Sequence, residues 1–343
     1  MRAAVLHGSG DEFKLEEVSD PEPGPGEVLI RVAAAGVCHS DIHMRLGEFD
    51  GLPPYFPWVM GHENAGYVAG LGPGACGFEV GDPVAVYGGW GCGLCRLCLS
   101  GDEQLCDRSL WAGIGRPGGY AEYVCVPSTR HLVAIGELDP MLAAPLTDAG
   151  LTPYRAVKRI LPYLLPGATA LVIGAGGLGQ FAIQYIKLLT AARVVVLDIS
   201  EPKLERAVAL GADLVLDSSL PEVAKEIQSF TGNSGVAVVL DHVGSNKTLE
   251  VAASSVGPCG IIVQVGLAGG GLWFSHANLP VEALATYSWW GNRLELEEVV
   301  ALARQEAIEV SVEHYPLDAI NDVFRNLESG NVMGRAVLLP HPS

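Results

Sequence analysis

The chain has 343 residues, 49% of them hydrophobic and 17% charged, with a formal net charge of −18. That length is enough for two domains with separate cores, and that apolar content excludes a disordered chain. The acidic balance excludes nucleic acid and anionic membrane surfaces as partners, because both require clustered Lys and Arg.

In chain order, residues 27–32, 64–71 and 83–86 are short apolar runs set between turn-forming stretches such as PEPGPGE and EVGDPV. This pattern predicts an antiparallel, mostly β unit in the first half. After Pro166 the texture changes: an apolar strand at 170–173 leads into a glycine turn at 174–179, an apolar helix reaching residue 189 and a second strand at 193–197. Further strands are predicted at 213–216, 236–240 and 260–265, with helices at 203–210 and 222–230 between them, the alternation of a parallel βαβ sheet. Helices at 295–304 and 319–328 and a strand at 334–339 close the chain. The first residues lack a basic segment followed by an apolar stretch, and the most apolar region, 168–179, is too short and glycine-rich to span a bilayer, so the expected location is the cytoplasm.

Eight cysteines without a secretory leader favour metal ligation over disulfides. Four of them, Cys92, Cys95, Cys98 and Cys106, are close enough in sequence to surround one tetrahedral zinc with no position left over, which is the pattern of a structural site. Cys38, in Gly36-Val37-Cys38-His39-Ser40-Asp41, and His62, in Gly61-His62-Glu63, are candidates for two of the three protein ligands of a catalytic zinc. Each equally suits a packed core, and composition does not say which Cys and His converge. Cys76, Cys125 and Cys259 read as packing residues, and His131 and His242 carry no motif.

The third constellation is Gly174, Gly176, Gly177 and Gly179, with Leu178 among them, directly after one strand and opening a helix, followed by Asp198 at the end of the next strand. Glycines there let the backbone approach a pyrophosphate at the helix N-terminus, and the acid accepts hydrogen bonds from the adenosine ribose. A carboxylate at 198 favours NAD over NADP, whose 2′-phosphate meets a like charge.

Taken together these residues resemble the zinc-containing medium-chain alcohol dehydrogenases, and the resemblance runs from Met1 to about Pro340. Gly61-His62-Glu63-x2-Gly66-x5-Gly72 looks like that family's zinc signature, and the segments 146–152 and 87–92 look most like its bacterial secondary-alcohol members. The resemblance implies a GroES-like, mostly β catalytic domain over 1–148 and 290–343, and a doubly wound Rossmann domain over 149–289. It implies NAD and two Zn2+ per chain, with Cys38, His62 and Asp148 as the catalytic zinc ligands. The alternative for Asp148 is a helix N-cap. Glu63 matches the acid behind the metal and Asp41 the residue that orients His62. Ser40 matches the hydroxyl that receives the alcohol proton, and His43 the far end of that relay. Lys203 matches a ribose partner, or else a solvated helix charge. Val243 and Val265 match positions beside the adenosine and nicotinamide, and Arg335 a cation near the pyrophosphate.

The activity so implied is hydride transfer between NAD(H) and an alcohol, with ketone or aldehyde as product. Tyr55, Trp58, Trp289 and Trp290 are candidates for an apolar substrate pocket, which favours secondary alcohols with apolar or aryl substituents, although each suits a core or subunit contact as well. The alternatives are a polyol or amino-acid dehydrogenase of the same fold, a zinc-free quinone or enoyl reductase, and a non-catalytic dinucleotide-binding protein. A homodimer or homotetramer is implied, joined through an edge strand near residues 265–274.

Overall fold

The computed structural model describes residues 1–48 and 56–341. The chain divides into two compact units, Met1–Leu151 with Gly291–Ser343, and Thr152–Trp290. The division expected at 148/149 and 289/290 falls within a few residues of these limits.

Unit 1 is built around the strand Val28–Gly36, in which Val28, Ile30, Val32 and Ala34 are buried and Arg31 is exposed. That period of two is what a sheet with one face on a core requires. The strand pairs antiparallel with Glu63–Leu71, Tyr123–Val126 and Arg335–Leu339. The seven-stranded sheet runs Leu132–Ala134, Pro83–Val86, Glu63–Leu71, Val28–Gly36, Arg335–Leu339, Val312–Pro316, with Tyr123–Val126 beside Val28–Gly36 off this path. Its core includes Ile30, Met60, Val86, Tyr120 and Phe324. Two glycines of the zinc signature are needed for this pairing. A Cβ on Gly66 would stand 2.0 Å from Arg31 O, and one on Gly72 would stand 1.8 Å from Gly24 O.

Unit 2 is a six-stranded parallel sheet in the order Leu214–Asp217, Arg193–Asp198, Thr169–Ile173, Val236–Asp241, Val256–Gln264, Leu284–Tyr287. Every residue of Thr169–Ile173 is buried, as expected of a central parallel strand covered on both faces. The helix Gly179–Leu189 buries Phe181, Ile183, Tyr185 and Ile186.

The edge strand is a correction. Residues 265–274 form no strand, and the edge is Leu284–Tyr287 instead. Gly266, Gly269, Gly270 and Gly271 break the apolar run. Gly266 also sits so close to Val243 that a Cβ would stand 2.2 Å from its carbonyl carbon, a loop packing that a side chain forbids. Among the described residues no helix is long and apolar enough to cross a membrane.

Candidate functional site

One turn of chain in unit 1 supplies most of the first cluster. The helix His39–Leu46 starts at Cys38, whose backbone N–H donates to Asp41 Oδ2 at 2.9 Å in a capping-box arrangement. This brings Cys38, Ser40 and Asp41 together at the helix start. The strand Glu63–Leu71 begins one residue after His62, and Gly61, at φ 102°, turns the chain into it. Asp148 comes from a π-helical turn, Leu146–Gly150, a distortion that recurs at functional sites. It lies inside a continuous helical run, with its carboxylate toward His62 and Arg335, so the N-cap reading does not apply.

The ligand atoms of Cys38, His62, Glu63 and Asp148 all lie within 4.8 Å of one another, and all four residues are buried. His62 Nδ1 faces Asp41 Oδ1 at 3.1 Å, while Nε2 lies 3.5 Å from Asp148 Oδ2. Asp41 therefore leaves Nε2 as the nitrogen for a metal. Glu63 is committed elsewhere: it accepts two hydrogen bonds from the Arg335 guanidinium, one from Nε at 3.0 Å and one from Nη2. Gly36 makes room for it, since a Cβ there would overlap the Glu63 carboxylate at 1.9 Å.

The electrostatics ask for a cation. Burial opposes charge on His62, yet Asp41, Asp148 and Cys38 raise its pKa well above the ordinary value. Burial pushes Glu63 up to about 7 against the pull of Arg335. Three buried carboxylates and a thiol thus cluster around one guanidinium, and a divalent ion between Cys38, His62 and Asp148 would supply the missing positive charge. One thiolate, one imidazole and one carboxylate are a donor set that would suit a catalytic zinc.

Tyr120 is the member that sequence reading missed. It is fully buried, and its hydroxyl donates to Asp41 Oδ2 at 2.7 Å. Burial and then the Asp41 charge raise its pKa well above the usual phenol range, so it stays a donor. Nothing in the sequence marks it; in the fold it packs over Gly61, where a Cβ would stand 2.6 Å from the Tyr120 ring.

The second cluster, also in unit 1, is the four-cysteine lobe. Cys92 and Cys98 sulfurs lie 3.9 Å apart, Cys95 and Cys98 3.5 Å, and Cys95 and Cys106 3.8 Å. Zinc–sulfur bonds of about 2.3 Å in a tetrahedron require sulfur separations of roughly 3.8 Å. The N–H groups of Leu94 and Cys95 pull Cys92 down to about 6, and Arg108 donates to its sulfur at 3.1 Å, which favours thiolate. The other cysteines depart from expectation. Cys76 and Cys259 are exposed, and Cys125 is half-buried with its thiol donating to Glu27. Cys76 lies in a loop, and Cys259 lies at φ 59° in an irregular part of the strand Val256–Gln264, where neighbouring apolar residues in sequence do not cover either thiol.

In unit 2 the glycine turn follows Thr169–Ile173. Gly174 takes φ 87°, and a Cβ on Gly179 would stand 1.8 Å from Gly174 O, so helix and strand close up only with glycine. Gly176 and Gly177 are half-buried, and a Cβ on Gly176 would meet nothing within 4 Å. Leu178 is half-buried at the helix start. Asp198 accepts from Ala175 N at 2.7 Å and Ser200 N at 3.0 Å, which fixes its carboxylate beside the turn. Lys203 is half-buried in the helix Glu201–Ala209, Val243 is 36% exposed and Val265 is buried.

The remaining candidates scatter. Ser40 is half-buried, and His43 lies three residues further along the same helix with Nδ1 2.6 Å from Glu48 Oε2. Arg335, expected near a pyrophosphate, is buried in unit 1 on Glu63, a pairing the sequence did not announce. Trp58 is a core residue whose indole N–H donates to Gly113 O at 2.8 Å. Trp289 is 37% exposed and Trp290 half-buried at φ 48°. Tyr55 lies outside the described residues.

Residues 24–137 match the alcohol dehydrogenase GroES-like domain, and residues 177–305 match the zinc-binding dehydrogenase family. The chain is 38% identical to an NAD-dependent alcohol dehydrogenase of Saccharolobus solfataricus, covering 99% of this chain and 100% of that one. It is 35% identical to a D-arabinose 1-dehydrogenase (NADP(+)) of the same organism, covering 99% and 97%. Among solved structures it is similar to an acetophenone reductase from Geotrichum candidum in complex with NAD, with a TM-score of 0.88, 33% identity and coverage of 98% and 97%.

Proposed function

The chain belongs to the zinc-dependent medium-chain alcohol dehydrogenases and acts as an NAD-dependent alcohol dehydrogenase, and on that premise we propose secondary alcohols with apolar or aryl substituents, and the matching ketones, as its preferred substrates. The observation that carries the chemistry is the convergence of Cys38, His62 and Asp148 with Asp41 behind the imidazole. Zinc supplies Lewis acidity toward an alcohol oxygen, and NAD supplies the hydride acceptor.

The chain's own residues do the rest. Cys38, His62 and Asp148 hold the metal, Asp41 and Tyr120 fix the His62 ring, and Arg335 holds the Glu63 carboxyl group in place behind it. Ser40 takes the alcohol proton at its Oγ and passes it toward His43. Gly174, Gly176, Gly177 and Gly179 admit the pyrophosphate, and Asp198 binds the adenosine ribose and repels a 2′-phosphate, with Lys203 beside it. Cys92, Cys95, Cys98 and Cys106 hold a second, structural zinc. The enzyme works in the cytoplasm as a homodimer or homotetramer, with the exposed edge strand Leu284–Tyr287 as a natural contact.

Likeness to the acetophenone reductase and the aromatic Trp289 and Trp290 support apolar substrates, whereas likeness to the D-arabinose dehydrogenase favours a polyhydroxylated one. Rates with NAD on primary, secondary and aryl alcohols and on D-arabinose decide between them. Highest kcat/KM on secondary or aryl alcohols is expected, and highest kcat/KM on the sugar overturns the substrate reading. Ser40→Ala is expected to slow turnover strongly with zinc content intact; full activity refutes the relay.

A further inference from the structure

His242 directly follows the strand Val236–Asp241 of unit 2. Its backbone N–H donates to Ile173 O at 2.9 Å, which ties it to the end of the neighbouring strand Thr169–Ile173. These two strands are where the winding of the sheet reverses. From Thr169–Ile173 the chain steps outward through Arg193–Asp198 to Leu214–Asp217, then returns to Val236–Asp241 on the other side. The crevice outside the carboxyl ends of such a pair is where a doubly wound sheet binds its ligand. The segment borders the glycine turn: a Cβ on Gly174 would stand 2.9 Å from Val243 Cγ2 and 3.7 Å from His242 Cβ.

The His242 ring is unsatisfied. The residue as a whole is half-buried, yet both ring nitrogens are shut off from solvent and neither has a hydrogen-bond partner among the described residues. Burial pushes its pKa down to about 3, so the ring is neutral, with one N–H donor and one acceptor nitrogen. Buried polar atoms without partners disfavour the unliganded fold and favour any ligand that supplies the partners. A phosphate oxygen only accepts and serves one nitrogen, whereas a sugar hydroxyl both donates and accepts and serves either.

Position says which sugar. Asp198 ends a strand of the first half of the sheet, the half that takes the adenosine side of a dinucleotide. His242 opens the second half, formed by Val236–Asp241, Val256–Gln264 and Leu284–Tyr287. We propose that His242 is a cofactor-binding residue whose imidazole hydrogen-bonds the ribose of the nicotinamide half, so that the site favours a complete dinucleotide over one that ends at the pyrophosphate. This rests on the reading of unit 2 as the NAD site.

The test uses the zinc-loaded full chain, wild type against His242→Leu, which keeps bulk without polar atoms, and His242→Asn, which keeps hydrogen bonding. Dissociation constants for NADH and for ADP are measured by calorimetry, with the melting temperature of the cofactor-free protein alongside. His242→Leu is expected to weaken NADH about tenfold, the loss of one hydrogen bond, while ADP affinity stays within about twofold. Its cofactor-free melting temperature does not fall, because the buried nitrogens had no partner to lose, and His242→Asn recovers part of the NADH affinity. Unchanged NADH affinity in His242→Leu overturns the proposal. Equal weakening of NADH and ADP with a lowered melting temperature overturns it in favour of a packing role. Wild-type protein that binds neither ligand overturns the NAD site itself.

Discussion

Tyr120→Phe removes one hydroxyl from the support of the metal cluster. The phenylalanine keeps the edge contacts of the ring with Phe13, at 6.1 Å between centroids, and with Phe324, at 6.3 Å. Only the hydroxyl disappears, and with it the 2.7 Å bond to Asp41 and a longer contact of 3.4 Å to Gly36 O. Asp41 retains the Cys38 N–H at 2.9 Å and His62 at 3.1 Å. A hydrogen bond to a charged, buried acceptor is worth about 1.5–3 kcal/mol, or roughly 10- to 150-fold in an equilibrium constant. Because Asp41 acts through His62, much of that loss is expected in metal affinity, on the order of 10- to 100-fold at Cys38, His62 and Asp148. The four-cysteine site shares none of these contacts and should keep its zinc. Competition against a chromophoric chelator, with metal content per chain, measures both sites. Asp41→Asn combined with Tyr120→Phe should be non-additive by about 1 kcal/mol or more, since the two share the bond. Unchanged affinity in Tyr120→Phe, or equal loss of both metals, would refute the reasoning.

Other predictions rest on single features. His131 is buried, and burial first, then Arg130 and Arg293, lower its pKa to about 3. The unfolded chain then binds the extra proton, so stability present at neutral pH is lost as pH falls from 6.5 toward 3, by about 2 kcal/mol between pH 7 and 5. His131→Phe should remove that slope in urea midpoints taken at both pH values; an identical slope in the variant contradicts it. Cys98→Ser should release one zinc per chain, keep the other and lower the unfolding midpoint; loss of both metals in metal analysis would show that the sites are not independent. Asp198→Ser removes the charge that opposes a 2′-phosphate and should raise the kcat/KM ratio of NADP over NAD at least about tenfold. An unchanged ratio would move the discrimination to another residue.

What the sequence announces is what lies close along the chain. Cys92, Cys95, Cys98 and Cys106 close around one point because their spacing alone nearly suffices, and the turn from Gly174 to Gly179 is bounded by its own strand and helix. Cys38 and Asp41 share one helical turn, so their link is local too. Tyr120 reaches Asp41 across 79 positions, and Arg335 reaches Glu63 across 272, and no local pattern marks either partner. The first unit limit falls next to the helical run through Leu146–Gly150 rather than in a glycine- or proline-rich linker, so it was the family resemblance and not a linker that placed the expected division within a few residues of it. Residues 265–274 misled because an apolar run resembles a strand until four glycines are given backbone geometry. Trp58 was ambiguous because aromatic side chains serve cores and pockets alike, and its indole N–H found a core partner.

Zinc per chain, measured together with NADH formation from alcohols before and after chelation, tests the central claim most directly. The account predicts zinc near two per chain, and turnover that falls with loss of the more weakly held ion and returns when zinc is restored. Zinc near one per chain with no alcohol turnover, or turnover indifferent to removal of the second ion, would contradict a catalytic metal at Cys38, His62 and Asp148.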